Sequence, residues 1–251
     1  MEQLLQLPVV ASESGVGTDR LIGYIHWLML ALFVGWLGYF TYALIRFNRH
    51  RNPKGDYQGV KNHASSYIEL TVAGIEACLL IFIAMPLWAS HAGGFPSERE
   101  STVVQVVGQQ FNWNFRYPGK DGRFGRQDMK LVTPDNTFGI DANDPAGQDD
   151  VPVLNEMHVP VNQPVIAYIS SKDVIHSFRL MAMRVTQDAI PGMRVPIWFK
   201  PVMEGRYQIH CAQLCGNGHA AMSGGMLVVE SREKFDQWIT SKKPGAAVSF
   251  E

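Results

Sequence analysis

Cys211-Ala-Gln-Leu-Cys215-Gly-Asn-Gly-His219-Ala-Ala-Met222 sets two thiols, an imidazole and a thioether on one short stretch of chain. Thiolate and thioether are soft donors that select copper over hard cations, and a trigonal Cys/His set with a weak axial Met is the ligand recipe of copper electron-transfer sites. A mononuclear site of that kind uses one Cys, whereas the two here are spaced so that both sulfurs can bridge a pair of copper ions. A second copper needs its own imidazole. Asp173-Val174-Ile175-His176-Ser177-Phe178 offers one on a strand-like segment, which is how a β-sandwich completes a metal site begun on a loop. Two other readings stay open. A Cys211–Cys215 disulfide suits an oxidising compartment but leaves His219 and Met222 unexplained. Zinc on Cys-x3-Cys-x3-His has little use for a Met.

Outward from this loop, the chain from Ser101 reads as short strands punctuated by Gly, Pro and Asn. The expected strands are residues 102–108, 111–117, 157–161, 165–171, 175–181, 195–200, 206–210 and 225–230. Strands at this spacing predict a sandwich or barrel, and a sandwich whose metal loop joins two late strands is the cupredoxin plan. The stretch from Pro118 to Pro152 turns polar and rich in Gly, Asp and Pro, the composition of a long ordered excursion over the surface. After the last strand, Phe235, Trp238 and Ile239 fall at helical spacing within residues 232–243.

The N-terminal third is different. Leu21 to Ile45 carries no Asp, Glu, Lys or Arg and is long enough to cross a hydrocarbon core of about 30 Å. Ile68 to Trp88 is a second apolar run, broken only by Glu69 and Glu76. Between the two, Arg46, Arg49, Arg51, Lys54 and Lys61 face a single acid, Asp56, so this loop is expected on the cytoplasmic side. Glu2, Glu13 and Asp19 against Arg20 suit an outside N-terminus, and no basic region precedes an early apolar run as in a cleavable signal peptide. The expected organisation is an external N-terminal segment (1–20), a transmembrane helical hairpin (21–92) with a cytoplasmic loop (46–66), and an external copper domain (93–251). With 251 residues and a net charge of −1, the composition gives no sign of nucleic-acid binding. Cys78, the third cysteine, sits inside the second span and reads as a packing or lipid-facing residue.

This set of motifs resembles subunit II of the haem-copper cytochrome c oxidases, over nearly the whole chain. The resemblance rests on residues 171–178, on Asp188-Ala189-Ile190-Pro191-Gly192, and on the Cys-x3-Cys-x3-His-x2-Met loop. It implies a two-helix transmembrane hairpin followed by an all-β cupredoxin-like Greek-key sandwich, in a bacterial inner membrane with the copper domain on the periplasmic side. It further implies a binuclear copper A centre bridged by Cys211 and Cys215, with His176 and His219 each on one copper. Met222 would be a weak axial ligand and the main-chain carbonyl of Gln213 the opposing one. Most relatives carry Glu where Gln213 stands, and that carboxylate helps hold a magnesium ion against subunit I. Gln is the poorer Mg²⁺ ligand, so this magnesium is expected to be weakened, absent or held chiefly by subunit I.

Some further residues follow from the same resemblance, and others from their own position and charge. Gln110-Phe111-Asn112-Trp113 is similar to an aromatic stretch near the cytochrome c docking face, with Phe111 where relatives place the Trp of electron entry; Trp113 and Tyr117 are the alternative entry candidates. Glu69 matches a glutamate at the mouth of a proton pathway into subunit I, and Glu76, deeper in the span, is expected to face subunit I or the first helix because a lipid-facing charge is costly. Lys172, Asp173 and Asp188 are candidates for ordering the His176 strand and the copper loop. His210 is expected to point away from copper and His158 to make a structural hydrogen bond. Asp135, Asp141, Asp144, Asp149, Asp150 and Asp173 form a candidate acidic field for a basic cytochrome c.

The implied function is electron entry. Electrons would come from cytochrome c, whether soluble, membrane-bound or held in a supercomplex, and pass to haem in subunit I for reduction of oxygen with proton translocation; the partners are subunit I, the other oxidase subunits and the bilayer. This chain would do electron transfer and no oxygen chemistry. No Cys-x-x-Cys-His motif follows the copper loop, so a fused cytochrome is not expected. A quinol oxidase subunit would have lost these ligands. The copper-A subunit of a nitric oxide reductase would look nearly the same, and a membrane-anchored copper carrier or assembly protein would need no carboxylates in its second span.

Overall fold

The computed structural model describes residues 4–55, 57–59 and 61–244, so Glu2 and Asp56, used above for orientation, lie outside the described residues. The chain divides into two units, Met1–Leu7 with Gly17–Gly94 and Pro8–Val16 with Phe95–Glu251.

The first unit is helical. Helix α1 (Gly15–Arg46) begins before the apolar run and ends on a basic residue, where a cation complements the negative end of the helix dipole. Helices α2 (Ala64–Leu79) and α3 (Met85–Gly93) form one apolar rod, Ala64–Gly93, joined by a π turn at Leu80–Ala84. Pro86 accounts for that turn: it has no N–H to donate and its ring crowds the carbonyl one turn back, so the helix widens ahead of it. Both rods are long and apolar enough to span a membrane. Phe33, Trp36, Phe40, Ile68, Leu80 and Phe82 are exposed on them, as lipid-facing side chains would be. Glu69 and Glu76 both lie on α2, about 10 Å apart along its axis at about 1.5 Å per residue.

Among the described residues, the second unit is a sandwich of ten strands. Its strands are β1 (Thr102–Gln109), β2 (Asn112–Tyr117), β3 (Val151–Leu154), β4 (Glu156–Pro160), β5 (Val165–Ser171), β6 (His176–Leu180), β7 (Val185–Ala189), β8 (Val195–Phe199), β9 (Gly205–Cys211) and β10 (Gly225–Glu230). One sheet has the order β3-β2-β1-β5-β8 and the other β4-β10-β9-β6-β7. The pairs β1–β5 and β4–β10 are parallel and the rest antiparallel, so the chain crosses repeatedly between the sheets. Period-two alternation fills the core: Trp113, Phe115 and Tyr117 of β2 point inward against Phe178, Leu180, Ile209 and Leu227 from the other sheet.

The opposite face of β2 is also buried, although it carries Asn114 and Arg116. The excursion at 118–150 covers it, pinned by the enclosed Arg116–Asp150 ion pair. Arg116 also donates to Gly125 O (2.9 Å) and Gln105 Oε1 (3.2 Å), and Asp150 Oδ2 accepts the Gly125 N–H (3.0 Å). Helix α4 (Arg232–Ser241), capped by the Ser231 hydroxyl, closes one end. Its Trp238 stacks on His158 at 3.9 Å and meets Tyr117 edge-on at 5.4 Å.

Strands β3 and β7 carry little signal in the sequence. β3 is a four-residue edge strand containing Pro152, and β7 is an edge strand with Thr186, Gln187 and Asp188 between its apolar ends. The N-terminal residues 8–16 are stitched to the sandwich. The Ala11 N–H donates to Ala182 O (2.8 Å), Val202 N–H donates to Ala11 O (2.8 Å), and the buried Ser12 hydroxyl donates to Met183 O (2.7 Å).

Candidate metal centre

Strand register assembles the site. Cys211, the last residue of β9, pairs with Phe178 of β6, and His176 lies two residues along β6 on the same face. The Cys211 Sγ is consequently 4.0 Å from His176 Nδ1. The loop after β9 then folds back: Cys215 Sγ stands 3.9 Å from Cys211 Sγ, 3.5 Å from His219 Nδ1 and 3.5 Å from Met222 Sδ. The Gln213 carbonyl oxygen lies 3.1 Å from Cys211 Sγ, while the Gln213 side chain is exposed. His176, Cys211, Cys215 and Met222 are buried and His219 is half-buried. The ligand atoms of His176, Cys211 and Cys215 all fall within 4.8 Å of one another.

Several groups hold this arrangement. His176 Nε2 donates to Asp173 Oδ1 (2.8 Å), which leaves the Nδ1 lone pair facing the sulfurs. Burial raises the Asp173 carboxyl, but hydrogen bonds from the Gln110 N–H, His176 and the Val174 N–H outweigh it and hold it below the usual carboxylate range. Gly108 of β1 touches the imidazole, and a Cβ there would lie 2.8 Å from His176 Cδ2. The turn between β1 and β2 overhangs the loop: Gln110 Nε2 donates to Cys215 O (2.7 Å), and the Phe111 ring covers Gly218. Trp113 Nε1 donates to Met222 O (3.1 Å).

The donor set suits copper. Both cysteines are free thiols, their sulfurs at nearly twice the roughly 2.05 Å of a disulfide. Burial and then the neighbouring Cys211 push the Cys215 thiol up to about 11. Two buried sulfurs this close resist becoming a pair of thiolates unaided. Positive charge between them reverses that balance, because a metal ion deprotonates a coordinating thiol. Soft sulfur flanked by imidazole nitrogens is a copper-type set, and the Met thioether disfavours zinc.

The family described as cytochrome C oxidase subunit II, periplasmic domain, matches residues 102–231, the segment that contains every one of these donors. The chain belongs to the cytochrome c oxidase subunit II family. The alternative cytochrome c oxidase subunit 2 of Bradyrhizobium diazoefficiens is 29% identical over 92% of this chain and 82% of the relative. A probable cytochrome c oxidase subunit 2 of Rickettsia bellii is 32% identical over 87% of this chain and 76% of the relative. Among solved structures, the periplasmic domain of subunit II of cytochrome oxidase from Bradyrhizobium japonicum is 30% identical, covering 59% of this chain and 96% of that one, with a TM-score of 0.43. By the family match, the chain joins two apolar helices suited to membrane anchoring to a cupredoxin-like domain, in a family of haem-copper oxidase subunits.

Other expected site residues fall elsewhere. Trp113 and Tyr117 are enclosed, at 0% and 2% exposure, so neither presents an edge to a docking donor. The Tyr117 hydroxyl donates to His158 O (2.9 Å) and accepts the His158 N–H (2.8 Å) under α4. Phe111, half-buried, is the one of the three that reaches the surface. The acidic field shrinks too: Asp150 is buried against Arg116, and Asp141 and Asp144 share Arg126. Asp188 is exposed on β7 across from Ser177, and Lys172 donates to Thr133 O (2.9 Å). His210 points away from the centre, its Nδ1 3.4 Å from the Ser223 hydroxyl. His158 Nδ1 pairs with Glu230 at 2.7 Å.

Proposed function

We propose that this subunit is the electron-entry chain of a respiratory haem-copper oxidase, in which His176, Cys211, Cys215 and His219 would hold a binuclear copper A centre, with Met222 and the Gln213 carbonyl as further donors. The observation that carries this reading is the pair of buried sulfurs 3.9 Å apart with an imidazole Nδ1 on either side, His176 toward Cys211 and His219 toward Cys215. When bound, such a centre accepts and releases one electron shared over two metal ions. The protein's part is to keep the donors still: His176 is fixed by Asp173 and by its strand, and the loop is held at Cys215 and Met222 by the β1–β2 turn and Trp113. Rigid ligands mean little rearrangement on a change of oxidation state. The electron donor is a cytochrome c on the periplasmic side of a bacterial inner membrane, and the acceptor is haem in subunit I, with Glu69 near the cytoplasmic end of α2 serving proton entry. Gln213, neutral and exposed, leaves the interfacial magnesium weakened, absent or held chiefly by subunit I.

The test is to load the full chain, purified in detergent, with copper and record its electron paramagnetic resonance. One unpaired electron delocalised over two coppers, reducible by ferrocytochrome c, is the expected result. A single-copper signal, or none after oxidation, would replace the relay with a copper carrier. Turnover of the complex isolated from native membranes with oxygen and with nitric oxide then separates the oxidase from a reductase of nitric oxide.

A further inference from the structure

Gln110 occupies an unusual place: it bonds both to Asp173, the carboxylate that orients His176, and to the loop at Cys215. Its main-chain N–H donates to Asp173 Oδ2 at 2.7 Å, and the other oxygen of that carboxylate accepts from His176 Nε2 at 2.8 Å. Its side-chain Nε2 donates to Cys215 O at 2.7 Å. The Cys215 carbonyl belongs to the peptide that leads into Gly216, whose φ of +131° turns the chain back toward His219. A donor fixed on that carbonyl sets where the Cys215 side chain leaves the backbone, and with it the spacing of the two sulfurs. Gln109, one residue earlier, turns the other way, its Oε1 facing Asn114 Nδ2 and Thr137 Oγ1 at 3.4 Å each.

We infer that Gln110 is a positioning residue for the metal centre, its side-chain amide clamping the Cys215 end of the copper loop to the element that already orients His176. This rests on the reading of His176 and Cys215 as metal ligands. Gln110 itself is solvent-exposed and contributes nothing to the core, so its side chain can be changed without loss of the fold. The geometry requires an N–H donor at this position. Glu, of the same length, offers only oxygens at neutral pH and would face the carbonyl unfavourably, whereas Asn keeps a donor on a shorter arm.

The experiment compares the full chain with Gln110→Ala, Gln110→Glu, Gln110→Asn and the control Gln109→Ala, by two readouts. In the copper-free protein, alkylation of Cys211 and Cys215 by a neutral maleimide is expected to quicken about two- to tenfold in Gln110→Ala and Gln110→Glu, the range that one net hydrogen bond supports. In the copper-loaded protein, the same two variants are expected to release metal faster to a cuprous chelator, by a similar factor, with altered hyperfine splitting. Gln110→Asn should fall between them and the parent, and Gln109→Ala should match the parent. Parental rates and spectra in Gln110→Ala and Gln110→Glu, or equal changes in Gln109→Ala, would overturn the inference. If the parent chain binds no copper pair, the functional reading fails while the alkylation rates still decide whether Gln110 clamps the loop.

Discussion

Phe111 and Gly218 form a contact whose tolerance is small enough to predict. A methyl group on Gly218 would sit 2.3 Å from Phe111 Cδ2, against a ring that also borders Gly216. Gly218→Ala must therefore move either the ring or the loop, and overpacking of this kind costs about 1–3 kcal/mol. We expect Gly218→Ala to lower thermal stability and hasten copper release, and Phe111→Ala combined with Gly218→Ala to recover most of both. The double-mutant cycle should return a coupling of at least about 0.5 kcal/mol; strictly additive effects would mean that the ring does not fill that space. The same residue bears on the proposed electron entry. Comparing the second-order rate of reduction in Phe111→Trp and Phe111→Ala asks whether the ring carries electrons, and equal rates would leave it as packing. At this scale the sequence is readable where chemistry restricts residue type: thiols, imidazoles and a thioether stand out because few other roles demand them together. What Gly108, Gln110 and Gly218 do is hidden, because each acts on a partner distant in the chain, 105 residues away for Gln110 and Cys215, and nothing local marks the pairing.

Among the elements, the strands that face the core on one side announce themselves by alternation, and β2 shows both the strength and the limit of that signal. Trp113, Phe115 and Tyr117 predict a buried face; Asn114 and Arg116 predict a wet one, yet both are enclosed by the excursion at 118–150. The excursion's polar composition correctly signals irregular chain, but it conceals Asp150, which reads as one more surface acid until its partner is known. Arg116 and Asp150 are wholly buried, and burial works against the charge of both, lowering the Arg116 pKa and raising that of Asp150, with their mutual hydrogen bonds opposing it. Breaking such a pair from one side is worse than removing it whole. Asp150→Ala strands a buried guanidinium and is expected to cost about 3–5 kcal/mol in denaturant unfolding, while Arg116→Met with Asp150→Leu should cost clearly less. Limited proteolysis should cut the 118–150 segment much faster in the single variant. A double variant as damaged as the single one would show that hydrogen bonding to Gly125 and Gln105, and not the stray charge, dominates.

For the whole molecule, hydropathy separates the two apolar helices from the β-domain, but it says nothing of where residues 8–16 belong. Residues 8–16 are part of the sandwich unit, so the chain passes between the two units at Leu7–Pro8, at Val16–Gly17 and again at Gly94–Phe95. The reason is short-range and polar: Ala11 and Ser12 are fully buried, Ser12 bridges to Pro201, Glu13 N–H donates to Lys200 O (3.0 Å), and Arg184 Nη2 donates to Pro8 O (2.7 Å). No hydrophobic period advertises such a strap. A soluble protein beginning at Phe95 would leave the Ala182 and Met183 carbonyls and the Val202 N–H without these partners. Counting these three hydrogen bonds and the one from the Glu13 N–H to Lys200 O at roughly 0.5–1.5 kcal/mol each gives about 2–6 kcal/mol, on the order of 10 °C in Tm for a domain of this size. A protein in which residues 17–94 are replaced by a flexible Gly/Ser linker, keeping residues 8–16, should regain most of that difference. Equal melting of the two forms would show that the strap follows the sandwich without supporting it. A gain from the strap means that spectroscopy on the isolated copper domain should be done on the form that carries it, since its contacts reach Ala182 and Met183, immediately after the strand that holds His176.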